Sequence, residues 1–427
     1  MSIDKSVGEG AAVRLADSDF AVDRRVQDVP AALRDYWNRV RAGDLGAMPA
    51  ILGLLGLVVL FTALRPETFL SERNIANLFT QAMPVTILAM GLVFVLLLGE
   101  IDLSAGVASG VCGAVMAKII VDSGQPWYVA VLSAIATGIV IGTAIGWLVS
   151  VIRIPSFVVT LALFLGLQGI TLRLIGQGGT VPVRDEVIVA LANRNMPVWL
   201  GWTMAVVVAV AYAFVQLWRW RQQSKRGLAT KPVQLVAAQV GVVALALLFG
   251  TYLLSLDRAP SPAVTLAGIP WGVPLIGVLL IVATFVLGRT AYGRHLYAIG
   301  GNTEAARRAG INVVRLRMSV FMICSGTAAI SGIFAASRLN SVTPDAGAGN
   351  TLLFAVGAAV IGGTSLFGGR GKARDAILGG LVVATIENGL GLLGAKAYVN
   401  FLVTGGVLLL AASIDALARR RRVSAGR

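Results

Sequence analysis

The sequence is poor in the residue types on which metal sites and disulfide frameworks depend. The only histidine in 427 residues is His295, which lies in a segment between apolar runs that is expected to be a cytoplasmic loop. A histidine-based triad within the apolar segments and a multi-histidine metal site are therefore not expected. Cys112 and Cys324 are the only cysteines, and both lie in apolar segments. A thiol in such a segment acts as a small apolar side chain, and no disulfide framework is indicated.

Charged residues are also scarce, at 13% of the chain against about 25% in soluble domains. Hydrophobic residues make up 56%, and apolar runs of about twenty residues match the ~30 Å core of a bilayer. We therefore expect an all-α polytopic membrane protein with about 10–12 transmembrane helices, forming a transmembrane domain at 47–417. The candidate spans are 47–64, 84–98, 103–121, 127–150, 156–175, 198–218, 233–255, 272–288, 318–336, 352–366, 375–394 and 399–417. Because 103–121 and 352–366 are short or interrupted by glycine, it is open whether they cross the membrane or re-enter it.

The net charge of +15 is concentrated between the apolar runs. Basic residues cluster in the N-terminal tail at 1–46, in Arg219–Lys231, in Arg289–Arg317 and in the C-terminal tail at 418–427. This is the positive-inside pattern of a membrane protein, and it argues against a nucleic-acid partner. The pattern predicts that both termini and these loops are cytoplasmic. Within the N-terminal tail, a separate expectation is a surface helix around Val29–Arg41.

Glycine spacing predicts close contact between helices. Gly106 and Gly110, and likewise Gly142 and Gly146, are four residues apart in apolar segments. Small residues at this spacing let helix backbones approach one another within a membrane. We therefore expect these glycines to lie at helix–helix contacts.

A faint internal repeat links the two halves of the chain. Gly99–Gly106 (GEIDLSAG) and Gly362–Gly369 (GGTSLFGG) agree at both terminal glycines and at the leucine. Each follows an apolar run and precedes another helix. Glycine-interrupted segments at corresponding places in two halves are typical of transport pathways built from repeats.

Polar residues in and beside the spans are the candidates for a pathway or a gate. Asp102 or Ser104 can cap the following helix, whereas a charged junction inside a bundle also suits gating. Glu387 is an acid within an apolar span, and such residues are functional candidates by default. Gln168 suits a hydroxylated solute or an interhelical hydrogen bond. The full candidate set is Glu100, Asp102, Ser104, Gln168, Glu387 and Asn388.

The segment Arg289–Arg317 is long, basic and punctuated by glycine. Asn302 or Thr303 can cap a helix and Gly310 can end it, so the pattern predicts a two-turn helix at 303–309. The same pattern is also typical of a solvated basic loop. The candidate residues for contact with a soluble partner are Thr303, Glu304, Arg307, Arg308 and Gly310.

The glycine-rich stretch Gly368–Ala373 does not complete a phosphate-binding loop. The Walker pattern requires glycine where Leu366 stands, and serine or threonine where Ala373 stands. The chain is therefore expected to have no ATPase site of its own. Any nucleotide energy would come from another subunit.

Four segments together carry a family resemblance: TAYGRHLYAIGGNTEAARRAGINV at 290–313, GEIDLSAG at 99–106, GGTSLFGGRG at 362–371 and ENGL at 387–390. In combination they resemble the membrane permease subunits of bacterial sugar ATP-binding-cassette (ABC) importers of the ribose, galactose and xylose branch. The resemblance covers the chain from about Pro66 to Leu417. The additional stretch around 219–260 and the long N-terminal tail are similar to xylose permeases.

The resemblance implies the larger importer permease fold, without a cofactor, in the bacterial plasma membrane. It implies a homodimer of permeases, cytoplasmic ATP-binding subunits that grip the 303–309 helix, and an extracytoplasmic sugar-binding protein. The cargo would be a monosaccharide, xylose or a related pentose. An ion-coupled secondary transporter is the alternative, because Glu387 or the Glu100–Asp102 pair could supply a proton or sodium site.

Overall fold

The structure is a computed structural model that describes residues 29–41, 46–226, 230–259 and 265–424. The rest of the expected tails at 1–46 and 418–427, and part of the basic loop at 219–231, lie outside the described residues. The helices are α1 (Val29–Arg41), α2 (Met48–Leu64), α3 (Glu72–Leu97), α4 (Ala105–Ser123), α5 (Trp127–Trp147), α6 (Ser156–Ile175), α7 (Glu186–Asn193), α8 (Val198–Lys225), α9 (Val233–Ser255), α10 (Gly272–Arg289), α11 (Ala291–Gly301), α12 (Thr303–Arg308), α13 (Val313–Leu339), α14 (Thr351–Gly362), α15 (Ala373–Leu392) and α16 (Ala397–Ser424). A π-helical turn at Leu148–Ile152 continues α5, and the two strands are β1 (Val181–Pro182) and β2 (Ser341–Val342).

The expected fold class is confirmed, because helices coincide with all the predicted spans. In the described part of the chain, ten helices are long and apolar enough to cross a membrane, and the apolar helices α2 and α14 are shorter. A helix, α1, lies at the bounds Val29–Arg41 expected from the sequence, and its location at the membrane surface stays a prediction. The chain is thus an all-α polytopic membrane protein.

The two segments that could either cross or re-enter the membrane, 103–121 and 352–366, form helices of different length. α4 has 19 residues and ends at Gly124, whose φ of 59° turns the chain, so the segment predicted at 103–121 is long enough to span. α14 has 12 residues, or about 18 Å at the ~1.5 Å rise per residue of an α-helix. The segment predicted at 352–366 therefore forms a helix shorter than the ~30 Å membrane core.

The predicted start of the second span, at Pro84, is wrong. α3 begins at Glu72, where the Ser71 side chain accepts a hydrogen bond from Asn74 N at 3.3 Å and an acidic residue complements the helix dipole. Pro84 lies inside α3 and removes one of its backbone hydrogen bonds. Its carbonyl accepts a hydrogen bond from Ser331 of α13 at 2.7 Å, which joins the two helices at this turn.

The chain divides into two compact units. Among the described residues, the first contains 29–41, 199–226 and 230–252, and the second contains 46–198, 253–259 and 265–424. In the first unit, the Tyr212 hydroxyl of α8 accepts a hydrogen bond from Gln239 of α9 at 2.8 Å. The second unit holds all the motifs singled out in the sequence.

α3 is the central helix of the second unit. Of its most apolar 18 residues, 89% are buried, and it packs against α13, α14 and α15. A helix that is apolar all round needs this burial. Ile87, Leu88 and Val93 are fully buried in the main apolar core.

The predicted helix–helix contacts are confirmed at Gly142 and Gly146, whereas Gly110 contacts the connection between α13 and α14. A Cβ added at Gly142 of α5 would lie 2.7 Å from Met322 Cα of α13, and one at Gly146 would lie 2.8 Å from Met318 Cα. On α4, a Cβ at Gly110 would overlap the Ala346 carbonyl. Such backbone contact is the main means of association for helices in lipid, where burial of apolar surface gives little net gain.

Gly142→Ala should destabilise the protein, because the new methyl group would meet backbone atoms of α13 that cannot move aside. Overpacking of this kind costs about 1–3 kcal/mol, and we expect a lower midpoint of thermal unfolding for the purified protein. The matched control is Gly166→Ala on α6, where nothing lies within 4 Å of the added Cβ. An unchanged midpoint for Gly142→Ala would contradict the packing described.

Candidate functional site

Three helix connections meet at one end of the second unit, which we call the junction end. They are the α3–α4 connection at 98–104, the α10–α13 connection at 290–312 and the α14–α15 connection at 363–372. Gly369 N donates to Leu97 O at 2.8 Å, and Gly300 packs against both residues. The motifs of both repeat copies and of the basic segment are therefore in direct contact.

The basic segment contains more helix than predicted. Where a single helix was expected at 303–309, α11 precedes α12, and the two are separated by Asn302 in an extended conformation with φ of −158°. The Asn302 side chain accepts from Ala305 N at 2.9 Å and caps α12. Gly310, with φ of 83°, follows the end of α12. Thr303, the other predicted cap, instead donates to Ile299 O at 3.1 Å.

The outer face of α12 is charged. Arg307 Nη2 lies 2.8 Å from Glu304 Oε2, and Arg308 Nε lies 3.3 Å from Glu304 Oε1. Hydrogen bonding from Arg307, with a smaller contribution from Arg308, lowers the pKa of Glu304 and keeps it ionised. These side chains are 52–80% exposed, whereas Ala306 is buried. The short helix is thus attached on one side and presents an ordered group of charges on the other.

α11 anchors this helix to the junction end. Leu296 and Ile299 are fully buried in the main core. The Tyr297 hydroxyl donates to Gly371 O at 2.7 Å, and the Tyr292 hydroxyl lies 2.9 Å from Ser319 Oγ of α13. Burial raises the pKa of both tyrosines, so both stay protonated at neutral pH. A displacement of α11 must therefore reach the α14–α15 connection and α13.

Glu100 pairs with a residue of the basic segment. Its Oε1 lies 3.0 Å from Arg317 Nε, and the two side chains are only 17% and 25% exposed. The pair connects the α3–α4 junction to the first turns of α13. Glu100 therefore lies at the junction end.

The Ser104 side chain does not cap α4, whereas Asp102 bonds to the backbone at the start of this helix. Asp102 Oδ1 accepts from Ser104 N at 2.9 Å and from Ser104 Oγ at 2.6 Å, and the Ser104 side chain makes no cap hydrogen bond. Both side chains are buried. Burial raises the pKa of Asp102, opposed by these hydrogen bonds and by contact with the Cys324 thiol. The pair stabilises the turn that leads into α4.

A polar cavity of about 390 Å³ opens among α3, α4, α13, α14 and α15. It extends to Ser341 and Val342 of β2. There Val181 of β1 pairs antiparallel with Val342 of β2, and we call this end of the second unit, opposite the junction end, the strand end. The polar residues that line it are Gln81, Ser109, Ser331, Arg338, Ser341, Thr343, Asp345, Asn350, Thr351 and Glu387. A membrane protein has room here for a hydrophilic solute of modest size.

Glu387 is the one residue of the predicted pathway set that lines this cavity. Arg338 of α13 lines it as well, and the two opposite charges attract each other. No ion pair within 4.0 Å joins them among the described residues. Sequence reasoning missed Arg338 because the predicted span ended at 336, whereas α13 continues to Leu339. A basic residue two positions beyond the apolar run was the available signal.

Asn388 and Gln168 lie away from the cavity wall. Asn388 and Asn74 of α3 form a reciprocal pair, with amide-to-carbonyl distances of 2.8 and 2.9 Å. Asn388 Nδ2 also donates to Gln81 Oε1 at 3.2 Å, so it contacts the cavity through Gln81. Gln168 is half-buried on α6 and is not among the residues that line the cavity.

Comparisons with known proteins give a consistent result. The family described as "Branched-chain amino acid transport system / permease component" matches residues 74–412. The xylose transport system permease protein XylH of Escherichia coli K12 is 35% identical over 388 residues, covering 90% of this chain and 95% of that protein. XylH of Haemophilus influenzae is 31% identical over 90% of this chain and 99% of its own length. The ribose import permease protein RbsC of Escherichia coli K12 is 30% identical over 366 residues, covering 86% of this chain and 92% of that protein. No solved structure gives a significant match.

The matched region contains the motifs at both ends of the second unit. It includes the junction end, with α11 and α12, and the cavity-lining residues Arg338 and Glu387. Both the family match and the pairwise similarities extend over most of the chain. The chain therefore belongs to the family of transport-system permease components that includes the xylose and ribose permeases.

Proposed function

We propose that this chain is the permease subunit of an ATP-driven sugar importer. It would form the translocation pathway for a monosaccharide, xylose or a related pentose, delivered by an extracytoplasmic binding protein. The observation that carries the proposal is the attachment of α12, a short helix with an ordered charged face, to the two helix junctions of the membrane domain. The similarity to xylose and ribose permeases supports a sugar as cargo.

The partners follow from the same arrangement. The charged face of α12 suits a soluble ATP-binding subunit, and a homodimer of permeases would bring two copies of α12 to two such subunits. The chain is not proposed as an enzyme, since Leu366 and Ala373 break the phosphate-loop pattern. The opposite, strand end would receive the sugar-binding protein.

Movement of α12 has a short physical route into the membrane domain. α12 follows α11 directly, and Gly300 of α11 touches the backbone bond between Leu97 and Gly369. The Glu100–Arg317 ion pair adds a second link to the α3–α4 junction. Because packed helices shift between discrete arrangements rather than deforming continuously, this contact can transmit ATP-driven motion to the cavity.

Replacing Glu304 and Arg307 together by alanine should uncouple the transporter. Alanine favours helix and Ala306 stays in place, so the variant should insert and fold. Loss of the charged contact should lower sugar-stimulated ATPase activity and uptake by about tenfold, which corresponds to ~1.4 kcal/mol. The control replaces Lys118 and Asp122, an ion pair on α4 whose side chains are 33% and 50% exposed, by alanine. Normal coupled activity in the Glu304/Arg307 variant would refute the α12 contact.

The proposed orientation has the junction end, Ser224 and both termini in the cytoplasm. In a background without Cys112 and Cys324, an impermeant thiol reagent applied outside should label Val187→Cys of α7, which is 42% exposed. It should not label Ser224→Cys, Asn302→Cys or Ser424→Cys unless the membrane is permeabilised. Labelling of Asn302→Cys from outside would show that the junction end faces away from the cytoplasm and would contradict the proposed orientation.

Glu387→Gln should retain ATP-driven uptake, because glutamine keeps the shape and a hydrogen-bonding oxygen. Glu387→Leu should impair it, since Arg338 would lose the opposite charge that faces the same cavity and the polar wall would lose a hydrogen-bonding group. Concentrative uptake is measured in vesicles with and without a proton gradient, and with and without ATP. Loss of accumulation in Glu387→Gln with exchange retained would favour the ion-coupled carrier.

A further inference from the structure

We propose that the permease carries a monosaccharide-binding site of its own, formed by Arg338, Glu387 and Phe354, that selects uncharged polyhydroxylated solutes. The proposal rests on the proposed sugar-import function and extends it. It assigns recognition of the cargo to the membrane subunit in addition to the binding protein.

The size and lining of the cavity suit a small solute. Its volume of about 390 Å³ lies within the ~300–1,000 Å³ range of small-molecule sites. Phe354 and Val85 supply apolar wall, while hydroxyl and amide side chains supply hydrogen-bonding groups. A sugar ring likewise has apolar and polar parts, with C–H groups on its faces and hydroxyl groups around its edge.

The two charges are the specific feature of the site. Arg338 in the last turn of α13 and Glu387 of α15 line one cavity from different helices, without the direct contact seen between Glu100 and Arg317. A hydroxyl group both donates and accepts hydrogen bonds. One solute can therefore accept from the guanidinium and donate to the carboxylate, and bonds to charged groups are the stronger kind.

Gln81 adds oriented donors to the same wall. Its side-chain oxygen accepts from Asn388 Nδ2 at 3.2 Å, and Asn388 is in turn paired with Asn74. With the oxygen engaged, the N–H groups of Gln81 are available to the cavity that it lines. The buried amide cluster thus fixes a donor beside the charge pair.

The charge balance of the inner cavity determines which solutes it accepts. The positive charge of Arg338 and the negative charge of Glu387 cancel. Asp345, an acidic residue that also lines the cavity, is exposed toward the strand end. An anionic sugar acid would meet the carboxylates, and a solute without hydroxyls would leave both charges unpaired. Sites built to hydrogen-bond a substrate strongly reject analogues that lack the bonding group.

The test measures equilibrium binding of radiolabelled xylose to the purified permease alone in lipid nanodiscs, without ATPase or binding protein. We expect saturable binding to the wild-type chain. The Kd should be at least tenfold higher in Arg338→Gln and in Glu387→Leu, and only a few-fold higher in Glu387→Gln. The matched control is Arg173→Gln, an exposed arginine in the last turn of α6. Thermal unfolding of each variant establishes that it is folded.

A second measurement separates recognition from a merely structural role. Competition by xylonate, relative to competition by xylose, should rise in Glu387→Gln and fall in Arg338→Gln, because each variant leaves the opposite net charge. Absence of saturable binding to the wild-type chain, or unchanged affinity and selectivity in both glutamine variants, would overturn the site. Either result would leave the ATPase coupling through α12 intact, so the two proposals fail separately.

Discussion

Backbone contact at glycine is the constraint on which this membrane domain depends. Lipid tails are as apolar as leucine, so helices gain little from burying apolar side chains and associate by close packing. At the junction end, Gly369 N bonds to Leu97 O directly beneath Gly300, so any side chain at Gly300 would separate the three connections. Gly142 and Gly146 play the same part between α5 and α13.

Buried polar residues in this domain fall into two kinds, according to whether their hydrogen bonds are satisfied locally. Asn74 and Asn388 satisfy each other across α3 and α15, and such a pair holds helices together. Arg338 and Glu387 instead line an open cavity and attract each other without contact. The adjacent residues Glu387 and Asn388 of one helix thus have different roles, because successive helix positions face different directions.

The two ends of the second unit divide the work of a transporter. The junction end combines an exposed charged helix, a half-buried ion pair and a backbone contact shared by three connections. The strand end holds the mouth of the cavity, where β1 and β2 pair. α3 and α13 run between the two ends and pack against each other along their length. Packed helices therefore join the two ends directly.

Composition and hydropathy by themselves determined the membrane class and the approximate spans, because bilayer thickness sets helix length. The family was indicated by the resemblance of four short motifs, each of which is local in sequence. Cap chemistry also predicted α12, although the sequence did not reveal α11, which the buried Leu296 and Ile299 stabilise. Only the tertiary structure decided that Ser104 bonds to Asp102 instead of capping α4, and that Glu100 pairs with Arg317. Only it placed Arg338 beside Glu387, since 49 positions of chain separate residues 338 and 387, and proximity between helices depends on side-chain packing that no local pattern encodes.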